Sequence, residues 1–465
     1  MKWFKNISAI SLAMLMAASV ATGCKSTSAS SGGSTTGQST QGAKEIYYLN
    51  FKSEDTDELN TIAHEYKNLT GVTVRVVTAA SGTYEQTLKS EIAKGDAPTI
   101  FQVNGPVGYQ SWKDYCADLS SSKLYSILMN KKLAIKSGDG IYGIPYTIEG
   151  YGIIYNDAIM KKYFALPDKK AAVSSTADIK NFATLKSVVE DMTAKKNKLG
   201  ISGVFASTSF ASGQDWRWQT HLANLPFYYE FKENKKYTDT AEAGLNTSDI
   251  QFKYAENFKN IFDLYINNSC TNKKLIGSKA VADSMAEFAL GKVAMVQNGN
   301  WAWSQIAKVS GNTVKAGDIK FLPIYSGVSG EEKQGICIGT ENYFAINSKV
   351  SKEKQQASLD FLYWLFSSDA GKKHVVKDLG FIAPFSTFTD ADKPTDPLGK
   401  DVLSWEAKTD VDNVPWTFEC FPSQNFKNDF GAALLQYAQG KENWDQVVSG
   451  IKSSWKTEHE SNQEG

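Results

Sequence analysis

The chain has no excess of charge of either sign, because fifty basic residues are balanced by fifty acidic residues among 465. Proteins that bind nucleic acid usually carry a basic excess, so we expect no nucleic-acid partner. Beyond the N-terminal leader, no apolar run reaches the roughly eighteen residues that a membrane-spanning helix needs. We therefore predict no transmembrane segment in the remainder of the chain.

Motifs of catalysis and metal binding are also missing. The four histidines are isolated, with no HExxH pattern and no cluster of Cys and His ligands: His64, His221, His374 and His459. The sequence has no GxSxG elbow, no P-loop and no GxGxxG fingerprint with a suitable acid. We therefore expect no metal, no cofactor and no enzymatic activity of these kinds.

The cysteines lack a CxxC pattern. Beyond Cys24 there are four of them, which would allow three disulfide pairings in an exported protein: Cys116, Cys270, Cys337 and Cys420. The sequence cannot choose among these pairings. Without a ligand motif, we favour the interpretation that these cysteines are small buried apolar side chains.

What the sequence does contain is apolar and aromatic surface. At 42% hydrophobic and 22% charged residues it can bury a full globular core. Aromatic residues make up 12% of the chain and include 11 tryptophans, more than packing usually requires. This abundance indicates a stacking surface for a flat ligand.

The N-terminus has the features of an export signal. Lys2 and Lys5 precede an apolar run at 7–21, and the segment Val20-Ala21-Thr22-Gly23-Cys24 resembles the lipobox of bacterial lipoproteins. We predict a signal peptide over residues 1–23, a lipid on Cys24 that anchors the protein to the membrane, and a flexible Ser/Thr/Gly linker over 24–44. An ordinary signal with a chance cysteine is the alternative. Either way we expect an extracytoplasmic protein.

From residue 45 the pattern alternates strands with amphipathic helices. A strand is predicted at 45–50, a helix with apolar positions from Leu59 to Leu69 that ends at Gly71, a strand at 72–77, a helix at 83–94 and a strand at 99–103. This βαβαβ order predicts a mostly parallel sheet covered by helices. Ligands of such sheets bind at the carboxyl ends of the strands.

One strand end is the most informative. A buried strand at 293–297 is followed by Asn298-Gly299-Asn300, which turns directly into a helix that opens with Trp301. Trp301 and Trp303 lie two residues apart on this helix, so they cannot share a face. We assign Trp301 to a cleft and Trp303 to the core.

Three segments resemble the maltose-binding-protein-like family of sugar-binding proteins, which serve ATP-driven importers. They are 288–306, with its strand, NGxW turn and helix; Ile144–Asn156, similar to the first crossover between lobes; and Gly95–Val103, similar to a strand that leads into the cleft. The resemblance implies an α/β, two-lobe periplasmic-binding-protein-like fold with a ligand cleft between the lobes. It implies an N-terminal lobe of 45–151 plus about 302–350, and a C-terminal lobe of 152–301 plus about 351–465.

The resemblance also implies a function. A protein of this family binds a sugar in the cleft and delivers it to the permease subunits of an ABC transporter. We expect an oligosaccharide, from the number of stacking candidates, and a monomeric protein. Asn104-Gly105-Pro106 stands where maltose binders carry a charged pair, so the identity of the sugar stays open.

The candidate binding residues combine indole rings with groups that hydrogen-bond hydroxyls. The resemblance implies that Glu149 is a ligand-binding acid. The candidates from strand ends and aromatic stretches are Trp301, Asn300, Asp215, Trp216, Trp218, Asn104, Glu341, Phe51, Tyr84, Glu85 and Trp416. Alternatives remain for several of them: a core anchor for the pair Trp216 and Trp218, and a domain-surface anchor for Trp416.

Two other function classes stay open. Glu149 and Glu341 could be the two carboxylates of a lipid-anchored glycoside hydrolase. An adhesive carbohydrate-binding lipoprotein would account for the anchor and the linker. The adhesive class would not account for the strand-end aromatic residues, and the sequence gives no distance between the two carboxylates of the hydrolase class.

Overall fold

Two mixed sheets organise residues 45–463, which are the residues that this computed structural model describes, apart from residue 341. The predicted signal peptide, Cys24, the linker and Glu341 lie outside the described residues. The strands are β1 Glu45–Asn50, β2 Thr73–Thr78, β3 Ile100–Asn104, β4 Ile135–Ser137, β5 Gly140–Pro145, β6 Glu149–Asn156, β7 Gly203–Phe205, β8 Val293–Gly299, β9 Ile319–Leu322, β10 Gln334–Gly339, β11 Asn342–Ile346 and β12 Asp412–Val414.

Helices cover both sheets. Their bounds are α1 Thr56–Thr70, α2 Tyr84–Glu91, α3 Gly105–Trp112, α4 Lys123–Ile127, α5 Asp157–Phe164, α6 Phe182–Ala194, α7 Lys196–Leu199, α8 Asn224–Lys232, α9 Thr240–Leu245, α10 Ala255–Asn267, α11 Val281–Ala289, α12 Ala302–Ala307, α13 Lys352–Ser367, α14 Asp369–Lys373, α15 Pro397–Glu406, α16 Gln424–Ala438 and α17 Trp444–Gln463. A π-helical segment, Arg217–Leu222, precedes α8. Within residues 45–463, no helix is both long and apolar enough to cross a bilayer.

The first sheet has the strand order β2-β1-β3-β11-β5-β4. β1 pairs in parallel with β2 and β3, which confirms the predicted βαβαβ unit. Alternate residues of β1 enter two different cores: Ile46 and Tyr48 pack under α1 and α13, while Tyr47 and Leu49 pack under α2 and α3. The sheet is therefore buried on both faces, and its strand ends are the exposed edge.

The predicted helix after β1 forms because its apolar residues recur at helical spacing. Leu59, Ile62, Ala63 and Tyr66 of α1 are buried, and Gly71 ends the helix with a left-handed backbone at φ 77°. A residue with a side chain would be strained in that conformation.

The second sheet has the order β12-β10-β6-β8-β7, and β9 also pairs with β6. Every residue of β6 and β8 is buried, which makes these two strands the centre of this lobe. We call the first sheet with α1–α4, α13 and α14 the first lobe, and the second sheet with the remaining helices the second lobe.

Two segments join a different sheet from the one that the sequence predicts. The sequence assigns 302–350 to the N-terminal lobe, but β9 and β10 pair with β6 in the second sheet, and only β11 returns to the first. The sequence assigns everything after 350 to the C-terminal lobe, but Phe361 and Leu365 of α13 pack on the first sheet. A short connection holds α13 beside β11, and consecutive elements usually stay neighbours.

The four cysteines within the described residues are free thiols. Cys116, Cys337 and Cys420 are buried, and Cys270 is half-buried. The interpretation as small buried side chains is therefore confirmed for the first three, and Cys270 is only partly enclosed.

Candidate functional site

A cavity of about 400 Å³ lies where strand ends of the two lobes face each other. This volume falls within the roughly 300–1,000 Å³ of small-molecule sites. The first lobe and the crossover β6 contribute Phe51, Lys52, Glu54, Tyr84, Glu85, Asn104, Asn342 and Glu149, among others. The second lobe contributes Trp216, Gln219, Thr220, His221, Trp301, Gln305, Trp416, Gln424, Lys427 and Asn428, among others.

Three indoles and one imidazole form what we call the aromatic wall: Trp216, Trp301, Trp416 and His221. The ring centroids of Trp216 and Trp301 are 6.0 Å apart, and those of Trp301 and Trp416 are 6.3 Å apart at nearly right angles. His221 lies between them, 5.0 to 5.7 Å from each indole. The wall therefore offers apolar ring faces in several orientations.

Two glycines set the position of the indoles. A Cβ atom added to Gly299 would lie 2.1 to 2.5 Å from the ring of Trp301. A Cβ atom added to Gly339 would lie 2.5 to 2.9 Å from Trp416. Only glycine allows the rings to approach the backbone so closely. Gly299 belongs to the predicted Asn-Gly-Asn-Trp turn. The close approach of the Trp301 ring explains why this turn contains a glycine.

His221 is a site residue that the sequence does not predict. It is 4% exposed, and burial lowers the pKa of its imidazole to about 3. The ring is therefore neutral near neutral pH, and its Nε2 atom has no hydrogen-bond partner among the described residues. Its place five residues after Trp216 on the π-helical segment brings it beside the indoles.

A second set of residues forms what we call the polar wall: Lys52, Glu54, Asn104, Glu149 and Asn342. Lys52 Nζ donates to Glu149 Oε1 at 2.7 Å and lies 3.8 Å from Glu54 Oε1. It also lies 5.6 Å from the ring centroid of Trp301, so it bridges the two walls.

Lys52 and Glu149 are 6% and 4% exposed, so their charges depend on each other. Burial opposes protonation of Lys52, but the charges of Glu149 and Glu54 outweigh it and hold its pKa above the ordinary value. Burial raises the pKa of Glu149, and Lys52 opposes that rise. The pair joins the loop after β1 to the start of β6.

Several of the residues that line the cavity carry buried polar atoms that have no partner among the described residues. They are Asn104 Oδ1, Asn342 Oδ1, Gln219 Oε1, His221 Nε2, Trp301 Nε1 and Trp416 Nε1. An unsatisfied buried polar group costs about 1–3 kcal/mol. A ligand with several hydroxyl groups would remove that cost, because a hydroxyl both donates and accepts.

Three further predicted residues line the cavity from the first lobe. Phe51 is half-buried, and its ring packs edge-on against Tyr84 at 5.3 Å. The Tyr84 hydroxyl is already engaged, since the backbone N–H of Gln102 donates to it at 2.6 Å. Glu85 accepts a hydrogen bond from Trp112 Nε1 at 2.9 Å. Phe51 therefore offers a ring face to the cavity. The polar groups of Tyr84 and Glu85 are already hydrogen-bonded.

Three predicted residues do not line the cavity. Trp218 is 4% exposed and stacks on Phe210 in the core, because it lies two residues from Trp216 on a helical turn and points to another side. Asp215 accepts from Gln219 Nε2 at 3.0 Å behind the wall. Asn300 Oδ1 accepts from the backbone N–H of Gly150, and this bond ties the turn after β8 to β6.

Trp301 directly precedes helix α12, and Trp303 lies in the first turn of that helix. Trp301 lines the cavity, whereas Trp303 is half-buried against the core with Ala302 and Ile306. Asn300 and Gly299 therefore help to position Trp301 and do not line the cavity themselves.

The two lobes touch around the cavity. The backbones of Gly82 and Gly213 meet so closely that a Cβ added to Gly82 would lie 2.5 Å from the Cα of Gly213. Lys308 Nζ forms an ion pair with Glu58 at 2.9 Å. The two lobes are therefore in direct contact in this structure.

The sequence missed mainly polar lining residues: Lys52, Glu54, Gln219, His221 and Lys427. Lys52 and Glu54 follow β1 directly, so the rule that selects strand ends would have found them. Gln219 and Lys427 carry no local signal, because only tertiary packing brings them to the cavity. Within residues 45–463 apart from 341, no group of three His, Cys, Asp or Glu side chains could hold a metal.

Comparisons with known proteins show the family and the fold of the chain. Residues 61–401 match the family described as bacterial extracellular solute-binding protein. No curated protein sequence matches the chain. Many solved structures do.

RafE in complex with raffinose is 18% identical and has a TM-score of 0.65, over 89% of this chain and 99% of that one. A chitin oligosaccharide binding protein is 17% identical with a TM-score of 0.67, over 90% and 99%. Maltose-bound MalE3 of T. maritima is 13% identical with a TM-score of 0.63, over 89% and 99%. At these identities the likeness establishes the fold.

Proposed function

Because the chain belongs to the bacterial extracellular solute-binding proteins, we propose that it captures an oligosaccharide between its lobes and delivers it to the permease of an ABC transporter. The observation that carries the proposal is the composition of the cavity. It unites three indoles with six buried polar atoms that have no partner among the described residues.

Sugars match such a cavity in two ways. Their C–H faces cover aromatic rings, and their hydroxyl edges hydrogen-bond to carboxylates, amides and ammonium groups. The aromatic wall supplies the first contact. The polar wall supplies the second, with the Lys52–Glu149 pair already held in place at 2.7 Å.

The number of rings favours an oligosaccharide over a single sugar. One pyranose covers one indole face, and two indoles that line the cavity, Trp216 and Trp301, are only half-buried, with ring centroids 6.0 Å apart. The proteins compared above are named for raffinose, a chitin oligosaccharide and maltose, which supports the same ligand class.

Binding without catalysis is part of the proposal. Each of those three names describes a binding protein or its complex, not an enzyme. The Glu149 carboxylate forms a buried ion pair with Lys52. It is therefore not a free carboxyl group that could act as a general acid.

Titration calorimetry tests the proposal. The purified protein is titrated with raffinose, maltotriose, chitotriose and longer members of the latter two series, and the sugar is recovered afterwards for product analysis. We expect at least one sugar to bind stoichiometrically and to be recovered intact. Released shorter sugars would support a glycoside hydrolase instead, and no binding across the panel would contradict a sugar-binding function.

A lipid on Cys24 would keep the protein near its permease. Cys24 lies outside the described residues, and this part of the proposal rests on the lipobox-like segment that precedes it. In fractionated cells, Cys24→Ala should move the protein from the membrane to the soluble fraction. A variant that stays as firmly bound as the parent would exclude the anchor without affecting the sugar-binding proposal.

A further inference from the structure

Arg217 directly follows Trp216 of the aromatic wall, but its side chain does not line the large cavity. Trp216 is half-buried and lines the cavity, whereas Arg217 is only 2% exposed. The Arg217 Cζ atom is 4.0 Å from the ring centroid of Trp216, so the guanidinium lies over the indole. The guanidinium therefore covers part of the indole that the cavity does not reach.

The other rings beside Trp216 do not lie flat on it. The imidazole of His221 and the indole of Trp301 meet it at interplanar angles of 60° and 46°. A planar guanidinium can stack on an indole, and the attraction between cation and ring is strongest where water is excluded. The contact with Arg217 therefore differs in kind from the contacts within the wall.

The charge of Arg217 is kept despite its burial. Burial lowers the pKa of Arg217 to about 9, and the negative charge of Glu54 opposes that fall. The group is therefore a cation at neutral pH. The indole of Trp216 and the carboxylate of Glu54 both compensate its charge.

Hydrogen bonds of the side chain do not fix this guanidinium, since none of its three nitrogens has a partner among the described residues. Arg217 is held through its backbone instead, because Gln297 Nε2 donates to its carbonyl at 2.8 Å. Gln297 belongs to β8, a fully buried strand of the second lobe. Removing the guanidinium would therefore leave no hydrogen-bond partner in the described protein unpaired.

We propose that Arg217 is a positioning residue for sugar binding, whose guanidinium holds the Trp216 ring from behind while the ring faces the sugar in the cavity. The inference rests on the proposed sugar-binding function. A ring that is already held in place loses less conformational freedom when the sugar binds. Because Arg217 does not line the cavity, it acts on affinity through Trp216.

Arg217→Met tests this role, because it removes the charge and keeps an unbranched apolar side chain. Calorimetry uses whichever of raffinose, maltotriose and chitotriose the parent binds most tightly, and we expect the affinity to fall about fivefold. Tm of the ligand-free protein should stay the same or rise, since an apolar replacement of a buried charge is often neutral or stabilising. A fall in Tm of more than about 5 °C, or failure to fold, would make Arg217 a structural anchor and overturn the proposal.

A double-mutant cycle with Trp216→Leu shows whether the effect passes through the indole. Arg217→Met should lower the affinity about fivefold beside Trp216 and less than about twofold beside Leu at that position. Equal losses in both backgrounds would mean that Arg217 acts on the sugar by another route, and the proposal fails.

Lys408→Met is the matched control in the same lobe. Lys408 Nζ lies 3.1 Å from the ring centroid of Trp405, and neither residue lines the cavity. Removing this cation from its indole should leave the sugar affinity unchanged. A loss as large as that of Arg217→Met would show that the effect is not specific to the aromatic wall, which contradicts the proposal.

Fluorine NMR of the ligand-free protein, labelled with 5-fluorotryptophan, observes the ring without any sugar. Trp216→Phe identifies the resonance of Trp216, which should broaden or split in Arg217→Met and stay unchanged in Lys408→Met. An unchanged Trp216 resonance in Arg217→Met would overturn the proposal. A parent that binds no sugar of the panel would contradict the proposed function, whereas a parent that binds sugar without the expected coupling would contradict this inference alone.

Discussion

The two walls of the large cavity differ in chemistry and in how the fold holds them. The polar wall is built on buried charges, which are held by pairing, as Lys52 Nζ and Glu149 Oε1 are at 2.7 Å. The aromatic wall is built on indoles, which are held by packing against glycine backbones at Gly299 and Gly339. The polar wall is therefore sensitive to the loss of either charged partner. The aromatic wall is sensitive to a side chain added at either glycine.

The difference also separates two contributions to binding. Stacking on an indole gains free energy from buried apolar area and tolerates many sugars. Hydrogen bonds to fixed charged groups depend on where each hydroxyl lies, so they select among sugars. We therefore expect changes in the aromatic wall to weaken all ligands, and changes in the polar wall to alter stability and selectivity.

The largest expected effect comes from breaking the pair in the polar wall. Lys52→Met leaves the Glu149 carboxylate buried without its partner, which should lower the free energy of unfolding by about 3–5 kcal/mol. Urea denaturation of the ligand-free protein measures this loss.

The double variant Lys52→Met with Glu149→Leu is the control for that loss. Replacing both charges by apolar groups should recover most of the stability but not the sugar affinity. If the double variant is as unstable as the single one, the pair is not what determines stability here.

The next effect comes from removing a ring of the aromatic wall. Trp301→Ala loses both the stacking contact and its buried area, so sugar affinity should fall more than tenfold. Trp303→Ala, two residues away on the same helix, should leave affinity unchanged and lower stability by about 2 kcal/mol, because that ring is only half-buried. The reverse pattern would mean that the sugar meets the other indole.

A smaller effect comes from adding one methyl group behind that ring. In Gly299→Ala the new Cβ would lie 2.1 to 2.5 Å from the indole of Trp301, so the ring must shift. In titration calorimetry we expect the sugar affinity to fall about three- to tenfold, which corresponds to a loss of about 1 kcal/mol of binding free energy. Gly317→Ala is the matched control, since nothing lies within 4 Å of its added Cβ; equal losses in both would exclude displacement of the ring as the cause.

The smallest effect concerns the layer behind the aromatic wall. Burial raises the pKa of Asp215 from 3.8 to about 6. Because the folded state holds this proton more tightly than the unfolded state, the carboxyl stabilises the fold below pH 4, and that contribution is lost as the pH rises through about 6. In urea denaturation, Asp215→Asn should flatten the fall in stability between pH 4 and 7; an unchanged slope would show that other groups cause it.

The sequence predicts the first sheet and one indole of the site well. The helical spacing from Leu59 to Tyr66 and the turn before Trp301 are local patterns, and each forms what the pattern indicates. Trp301 and Trp303 could be separated because two residues on a helix cannot share a face. The same argument applies to Trp216 and Trp218, where it would have placed Trp218 in the core.

Other parts of the site depend on contacts that no local pattern encodes. His221 belongs to the aromatic wall only because a π-helical segment turns it beside Trp216. The placement of β9, β10 and α13 follows from pairing and packing over long sequence distances, which a single sequence does not reveal.

The most direct test of the account is a crystal structure with the sugar that binds most tightly in the calorimetric panel. We expect sugar rings within about 4 Å of the faces of Trp301 and at least one other indole of the aromatic wall, with hydroxyl groups bonded to Lys52 and Glu149. A sugar bound outside this cavity, or inside it without contact to any of the three indoles, would contradict the account.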